Sequence, residues 1–197
     1  MYLQVYRLRL TKTCAQVLSD AQKMHQLLTR LAGECREVDN LLYRIENNKN
    51  EIYLFVQTDV LLKEDENLEE IMTVDLSRKL VFTNGDEIRF SVIVSPHAKS
   101  HGKISYFKTD EAGTAHEKRI HWMMRKLETY GLKTVFIQEG RKIETQFFRP
   151  KSGRGTFTSY EYHVTGIIQQ SDLFFARWRK GFGEHKAYGS GMFLLRR

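Results

Sequence analysis

The chain has few of the residues and motifs that mark several common protein classes. Its 197 residues include only two prolines and two cysteines, Cys14 and Cys35. Because no CxxC pair is present, a zinc site built on cysteines is excluded. Two cysteines without a signal sequence are typical of a reducing cytoplasm. No apolar run approaches the roughly 20 residues of a membrane span. We therefore expect a cytoplasmic protein that does not cross a membrane.

The sequence motifs of several enzyme classes are also missing. The seven histidines form no HExxH motif, and neither a GxxxxGK[ST] phosphate-binding loop nor a GxSxG nucleophile elbow occurs. The aromatic signature of a standard RNA-recognition motif is absent from the strands as well. We therefore expect neither a bound metal ion nor a cofactor.

Positive charge, in contrast, is abundant in one half of the chain. Residues 1–96 hold 12 basic and 15 acidic side chains, a net charge of −3. Residues 97–197 hold 19 basic and 9 acidic side chains, a net charge of +10. Charge that served solubility alone would not divide in this way. The C-terminal half therefore predicts a polyanionic partner, either a nucleic acid or an acidic protein surface.

The periodicity of apolar residues predicts an α+β fold. The segment 62–70 is acidic and fits either a short helix or a solvated loop. Strands are predicted at 2–10, 41–46, 51–57, 87–95, 133–138, 143–149, 156–168 and 190–196, and helices from Ser19 (or earlier, near Cys14) to about residue 31, at 116–130 and at 171–180.

The order of these elements predicts two tandem ferredoxin-like subdomains, which resemble RNA-recognition motifs in architecture. The order is βαββ-like and then βαβ-like again, near the end of each half, which is how two βαββαβ units would look. We place the N-terminal subdomain at 1–96, a polar linker region at 97–115 and the C-terminal subdomain at 116–197.

A basic hairpin in the C-terminal half is the first candidate binding element. Its tip, RPKSGR, carries Arg149, Lys151 and Arg154 between phenylalanine-rich strands. A basic ribbon beside aromatic rings can place its charges on RNA phosphates. An ordinary solvated hairpin is the alternative interpretation.

A glycine-rich segment near the C-terminus, GFGEHKAYGSGMFLL, is the second candidate. Glycines allow a backbone to approach a phosphate closely, and Lys186 adds a mobile positive charge. Tight turns before a strand would explain the same glycines, which leaves both interpretations open. The glycines are Gly181, Gly183, Gly189 and Gly191.

His25 is the candidate for chemistry. It lies on the first predicted helix beside an apolar stripe of Met24, Leu27, Leu28 and Leu31, but outside that stripe. A partly buried structural histidine is the alternative interpretation.

Read in order, several segments resemble one known family. These are the strand beginning MYL, the helix MHQLLTRL, the strands LLYRIE and FVQT, the helix EKRIHWMMRKLE and the terminal GFGEHKAYGSGMFLL. The set resembles CasE, the CRISPR-associated endoribonuclease of the subtype I-E system.

That resemblance implies a fold, an activity and partners. Members have two ferredoxin-like units, bind the hairpin of a CRISPR repeat transcript and cut it without a metal at the 3′ base of the stem. The product RNA stays bound, and the protein joins the Cascade surveillance complex with other subunits. We therefore expect a monomer when the protein is isolated.

The resemblance also implies roles for residues. Met24-His25-Gln26 matches the motif of the catalytic histidine, so His25 is the expected proton-transfer group. Independently of the resemblance, Arg30, five residues further on and near the same helix end, is a candidate for stabilising phosphorane charge, and a solvent-facing arginine is its alternative. The glycine-rich segment and the basic hairpin match the RNA-contacting elements of the family.

Two other functions remain open. Family members carry a tyrosine three residues before the histidine, where this chain has Gln22, so a non-catalytic RNA-binding subunit is the first alternative. A protein-interaction module with a basic face is the second.

Overall fold

The computed structural model describes residues 1–33, 40–100, 103–107, 114–149 and 153–196. In these ranges the chain forms two four-stranded antiparallel sheets and a separate two-stranded one. No helix of the described residues is long and apolar enough to cross a membrane.

The first sheet has the strand order of a ferredoxin-like unit. Its order is β2-β3-β1-β4, and every neighbouring pair is antiparallel. Two short helices connect β1 to β2, while residues 59–67 connect β3 to β4 without a helix. The elements are β1 (Tyr2–Leu8), α1 (Lys12–Leu18), α2 (Ala21–Leu31), β2 (Leu42–Asn48), β3 (Glu51–Thr58) and β4 (Leu68–Asp75), followed by a single helical turn, α3 (Leu76–Lys79).

The second sheet repeats the arrangement with both helices present. Its order is β10-β5-β9-β8, equivalent to that of the first sheet, and a small β6–β7 hairpin is inserted after β5. The predicted α+β fold of two tandem ferredoxin-like units is thus confirmed. The elements are β5 (Glu87–Val94), β6 (His97–Ser100), β7 (Lys103–Tyr106), α4 (Thr114–Glu128), β8 (Leu132–Arg149), β9 (Gly153–Ile168), α5 (Ser171–Lys180) and β10 (Phe193–Leu195).

The division between the two sheets lies earlier than the sequence predicted. Strand β5, which the prediction placed in the N-terminal subdomain, pairs with β9 along its whole length from Glu87↔Ile167 to Val94↔Tyr160. It is the first strand of the second unit, so the change from one sheet to the other falls between Lys79 and Glu87. The polar segment 97–115, predicted as a linker, contains the β6–β7 hairpin and the start of α4 inside that unit; its residues 101–102 and 108–113 lie outside the described residues.

Helix α2 begins one residue later than the capping pattern predicted. The N-cap is Asp20, whose side chain accepts a hydrogen bond from the backbone N–H of Gln22 at 2.9 Å, and not Ser19. A carboxylate also suits the positive end of the helix dipole. A separate helix, α1, comes before it, close to the earlier start at Cys14 that the sequence left open.

Other boundaries differ for a common reason, which is that pairing partners decide where strands run. The predicted strands 133–138 and 143–149 are one strand, β8, with register shifts at Thr134/Phe136 and Glu139/Lys142. The acidic segment 62–70 ends in the start of β4, because Leu68 pairs with Leu8. Bulges absorb extra residues without ending a ladder, and sequence periodicity does not reveal them.

Each sheet covers its own core. Met24, Leu28 and Leu31 of α2 pack on buried residues of the first sheet, including Leu54. In the second unit, Trp122 and Met123 of α4 join Phe174 and Trp178 of α5 over the sheet. These two cores fix α2 and the long β8–β9 hairpin, which carry the candidate site.

Candidate functional site

His25 lies half-buried on α2, beside the apolar face that anchors the helix. Met24 and Leu28 are fully buried against the first sheet, whereas His25 lies at the border of this face. Within the described part of the chain, its Nδ1 is buried without a hydrogen-bond partner. Burial lowers the pKa of the imidazole, because desolvation disfavours the charged form. The imidazole is therefore mainly in its neutral form at pH 7.

Arg30 lies at the other end of the same helix. Its side chain is 63% exposed and forms an ion pair with Asp65 at 3.4 Å. Five residues of a helix turn through about 500°, so Arg30 leaves α2 roughly 140° around the axis from His25. This is the position of the solvent-facing arginine that the sequence left as the alternative.

A groove runs between the start of α2 and the β8–β9 hairpin. It has a volume of about 650 Å³ and is lined by Lys23 from α2 and by Phe148 and Arg154 from the hairpin. The backbone N–H of Phe148 donates to the carboxylate of Asp20 at 3.2 Å, which joins the two elements. Two exposed cations, Lys23 and Arg154, and one carboxylate, Asp20, line the groove, so its charged lining is basic on balance. Sequence patterns did not single out Lys23, because only the fold brings it to the hairpin.

The predicted basic hairpin exists, and its three cations differ in what the structure describes. Arg154 is exposed and pairs with Phe148 across the ladder. The backbone of Arg149 pairs with Gly153, but its side chain and all of Lys151 lie outside the described residues. Among the three cations, the described part of the hairpin therefore exposes the side chain of Arg154 to solvent.

The glycines of the C-terminal segment are explained by packing in two cases. A Cβ on Gly191 would lie 2.3 Å from the carbonyl oxygen of Phe182, and one on Gly181 would lie 2.7 Å from Leu42. Both have positive φ angles, 83° and 73°. These two glycines are therefore required by the turns themselves, the alternative that the sequence left open.

The other two predicted glycines are less crowded. Gly183 has φ of 72° and open space where a Cβ would point, and Gly189 has φ of 84° against the ring of Tyr43. The segment between them contains a 3₁₀ turn, Lys186–Tyr188, that packs close to α2. Both glycines thus serve the left-handed backbone that brings this turn to the helix.

Lys186 fastens the glycine-rich segment to α5. Its Nζ donates to the carbonyl oxygen of Lys180 at 2.9 Å. Burial and the neighbouring charge of Lys180 lower its pKa. A hydrogen bond to a carbonyl at the C-terminal end of a helix is a structural role in its own right.

Aromatic rings join the glycine-rich segment to the hairpin. The rings of Phe147 and Tyr188 stack at 5.0 Å with planes 10° apart. Those of Phe157 and His185 stack at 4.1 Å and 12°. The two predicted RNA-binding elements therefore form one continuous surface beside the start of α2. Sequence patterns do not reveal this contact, since about 30 to 40 residues separate the partners.

A second cleft adjoins the groove on the side of the glycine-rich segment. Its volume is about 400 Å³, and Ser19 and Gln146 line both cavities. Ala21 and Met24 of α2 form one wall, and Tyr188 and Gly189 form another. The groove and cleft together make one path from Arg154 past the start of α2. Within the described ranges, no group of three histidine, cysteine, aspartate or glutamate side chains could hold a metal ion.

Comparison with protein families and with solved structures gives consistent results. A family model described as "CRISPR associated protein" matches residues 1–197. The CRISPR endoribonuclease Cse3 bound to a 19-nucleotide RNA superposes with a TM-score of 0.86, at 20% sequence identity and with full coverage of both chains. Curated protein sequences give no significant match.

Two further solved structures share the fold. The CRISPR-associated protein Cas6e of Escherichia coli K-12 has a TM-score of 0.72 at 17% identity, covering 99% of this chain and 98% of its own. A chain of a CRISPR RNA-guided surveillance complex has a TM-score of 0.71 at 20% identity, with the same coverage. At these identities the likeness establishes the fold.

Proposed function

The chain belongs to the family of CRISPR-associated proteins, and on that basis we propose that it is a metal-independent endoribonuclease. It binds the stem-loop of a CRISPR repeat transcript and cuts at the 3′ base of the stem, which releases mature guide RNA. The observation that carries this proposal is a groove with exposed cations between the hairpin and α2, the helix of His25, on a fold shared with an endoribonuclease bound to RNA. Transcript processing of this kind belongs in the cytoplasm.

Different elements around the groove contribute differently to RNA binding. Arg149, Lys151 and Arg154 grip the phosphates of the stem from the hairpin, and Lys23 contributes from α2. Each phosphate neutralised by a basic side chain releases counterions, which favours binding. The glycine-rich segment with Lys186 lines the backbone path on the other side. Because Nζ of Lys186 already donates to Lys180, its contribution is to hold that segment in place.

Cleavage without a metal uses the 2′-hydroxyl next to the scissile phosphate as the nucleophile. The bond from O2′ to phosphorus forms, the bond to O5′ breaks, the 2′-hydroxyl loses its proton and O5′ gains one. The products are a 2′,3′-cyclic phosphate and a 5′-hydroxyl. His25 is the proposed proton-transfer group, because imidazole changes its protonation near neutral pH. Arg30 forms an ion pair with Asp65. Its proposed contribution is limited to the electrostatic effect of its positive charge on the phosphorane.

We further propose that the product RNA stays bound and that the isolated protein is a monomer that joins other protein subunits around the guide RNA. A chain of the same fold occurs in an RNA-guided surveillance complex, and the alignment covers nearly the whole of both chains.

The test is incubation of the purified protein with a labelled CRISPR repeat hairpin in EDTA. We expect one site-specific cut that the variant His25→Ala abolishes while RNA affinity is kept. The control is His121→Ala, which removes an exposed histidine from α4 and should cut like the wild type. Full activity of His25→Ala would remove the histidine from the reaction. Tight binding by the wild type without cutting would favour a non-catalytic RNA-binding subunit.

A further inference from the structure

Tyr188 lies against the face of α2 that carries His25. It lines the 400 Å³ cleft opposite Ala21 and Met24. Ala21 precedes His25 by four residues, so the two occupy the same face of the helix, one turn apart. The 3₁₀ turn that ends at Tyr188 packs close to this helix. Two tyrosines line this cleft. Tyr43 is buried, whereas Tyr188 is partly exposed.

A buried tyrosine provides a second link between Tyr188 and the start of α2. The hydroxyl of Tyr43 donates to the carbonyl oxygen of Ala21 at 3.3 Å, and in an α-helix that carbonyl also accepts the backbone N–H of His25. The 3₁₀ turn that ends at Tyr188 contacts β2, the strand of Tyr43, and both tyrosines line the same cleft. A Cβ on Gly189, the residue after Tyr188, would lie 3.1 Å from the ring of Tyr43.

The ring of Tyr188 has a fixed orientation. It stacks on Phe147 at 5.0 Å with planes 10° apart, and its backbone N–H donates to the carbonyl oxygen of His185 at 2.9 Å. Gly189, with φ of 84°, turns the chain immediately afterwards. A donor that is held in place before the substrate binds needs no reorganisation as charge develops, and such donors stabilise transition states most effectively.

We propose that the hydroxyl of Tyr188 donates a hydrogen bond to a non-bridging oxygen of the scissile phosphate and so stabilises the charge of the phosphorane. This inference rests on the proposed function. It assigns the stabilisation of phosphorane charge to Tyr188 of the glycine-rich segment. Arg30 is less suited to this role, because it leaves α2 on the side away from His25. Tyr188 keeps its proton throughout, while the 2′-hydroxyl proton leaves and O5′ is protonated as described above.

The variant Tyr188→Phe tests the hydroxyl alone, because it retains the ring that stacks on Phe147. We expect a loss of about 100-fold in the single-turnover cleavage rate, the effect typical of removing one such donor. Affinity for a hairpin with a 2′-deoxy nucleotide at the cut should stay the same. Tyr2→Phe, which alters a tyrosine at the start of β1, is the matched control and should cut at the wild-type rate.

A sulfur substitution at the scissile phosphate supplies a readout that a merely structural role would not change. Replacing the contacted non-bridging oxygen by sulfur should slow the wild type more than it slows Tyr188→Phe, in which the hydrogen bond to that oxygen is already missing. Equal sulfur effects in both proteins, or a Tyr188→Phe rate equal to the wild type, would overturn the inference. So would a parallel loss of rate and RNA affinity, which would mark a packing role.

These outcomes are distinguishable from failure of the proposed function. If the wild type cuts and His25→Ala does not, while Tyr188→Phe behaves like the wild type, only the role of Tyr188 fails. If the wild type makes no His25-dependent cut, both proposals fail.

Discussion

Two features of the environment of His25 disfavour protonation of its imidazole. The imidazole is half-buried, and its Nδ1 has no hydrogen-bond partner in the described part of the structure. Both features disfavour the imidazolium, in which each ring nitrogen needs an acceptor. A surface histidine on a helix would have neither feature. A histidine kept neutral in this way suits proton transfer, and it also makes the stability of the protein depend on pH.

The pH dependence of stability follows from the lowered pKa of His25. In the unfolded chain the imidazole titrates near its usual pKa of about 6.5. Below that pH the unfolded state binds more protons than the folded state, so the free energy of unfolding falls as the pH drops towards the lower folded-state pKa. We expect His25→Ala to lose this component. Urea unfolding at pH 7.5 and at pH 5.5 would measure it.

The loss of unfolding free energy between pH 7.5 and pH 5.5 is compared between the two proteins, because the chain contains six other histidines. The wild type should lose more free energy of unfolding on acidification than His25→Ala. Equal losses in the two proteins would mean that the folded environment of His25 does not disfavour its protonation.

Among the elements, the β8–β9 hairpin does most to shape the candidate site. Strand β8 continues through two register shifts for 18 residues, and β9 for 16. Contacts at the base of the tip hold the hairpin to α2, through the bond from Phe148 to Asp20, and to the glycine-rich segment, through the stack of Phe147 on Tyr188. A long ribbon anchored at two points can present Arg154 to RNA with little loss of entropy on binding.

Neutralising the hairpin should weaken RNA binding and reduce its dependence on salt. We expect the triple variant Arg149→Gln, Lys151→Gln, Arg154→Gln to bind the repeat hairpin less tightly. The slope of log K against log[salt] should fall by about 0.9 for each duplex phosphate that the protein no longer neutralises. Titrations of labelled RNA at several salt concentrations would measure both quantities.

A control for net charge is available away from the groove. Arg78→Gln, Lys79→Gln and Arg89→Gln remove three cations from α3 and β5, none of which lines it. This variant should retain nearly the wild-type slope. If the two triple variants behave alike, the hairpin makes no specific contribution and general charge alone attracts the RNA.

At the scale of the whole molecule, a buried ion-pair network joins the two sheets. Arg44 of β2 is 1% exposed; its guanidinium pairs with Glu46 on the same strand and with Glu161 on β9. It also donates to the hydroxyl of Ser91 on β5 at 3.1 Å. Arg141 of β8 bridges the same two carboxylates at 2.8 Å and 3.0 Å. The network therefore fixes the orientation of α2 relative to the hairpin, on which the site depends.

Breaking this network should be costly. We expect Arg44→Met to lower the free energy of unfolding by about 3 kcal/mol, because the buried carboxylate of Glu161 then keeps only the partly exposed Arg141 as a close partner. Adding Glu161→Gln should restore part of the loss, since the incompletely compensated buried charge is then removed. Urea unfolding of both variants would test this.

The exposed pair of Arg7 with Glu69 provides the matched control. It has good geometry, at 2.7 Å, but both side chains are more than a third exposed. Exposed pairs contribute little to stability, so Arg7→Met should cost clearly less than Arg44→Met. Similar losses for the two variants would show that the buried position of Arg44 between the sheets does not increase its contribution to the free energy of unfolding.

The sequence by itself determined the α+β class, the tandem ferredoxin-like architecture, the uneven charge and the place of His25 beside an apolar helix face, but it did not reveal β4, β6 or β7. What it determined depends on local periodicity and composition, which act between residues near in sequence. The N-cap at Asp20, one residue after the expected Ser19, came from the structure. The helix 171–180 is a case in which the predicted and observed bounds agree.

Only the tertiary structure decided which sheet β5 joins, that Lys23 and Arg154 line one groove, and that the turn of Tyr188 packs on the helix of His25. Strand pairing and ring stacking are contacts between residues distant in sequence, and many partners fit the same local pattern. The periodicity of β5 is compatible with pairing in either sheet. Its pairing with β9 places it in the second sheet. The site is assembled by such long-range choices, because its parts come from both ends of the chain.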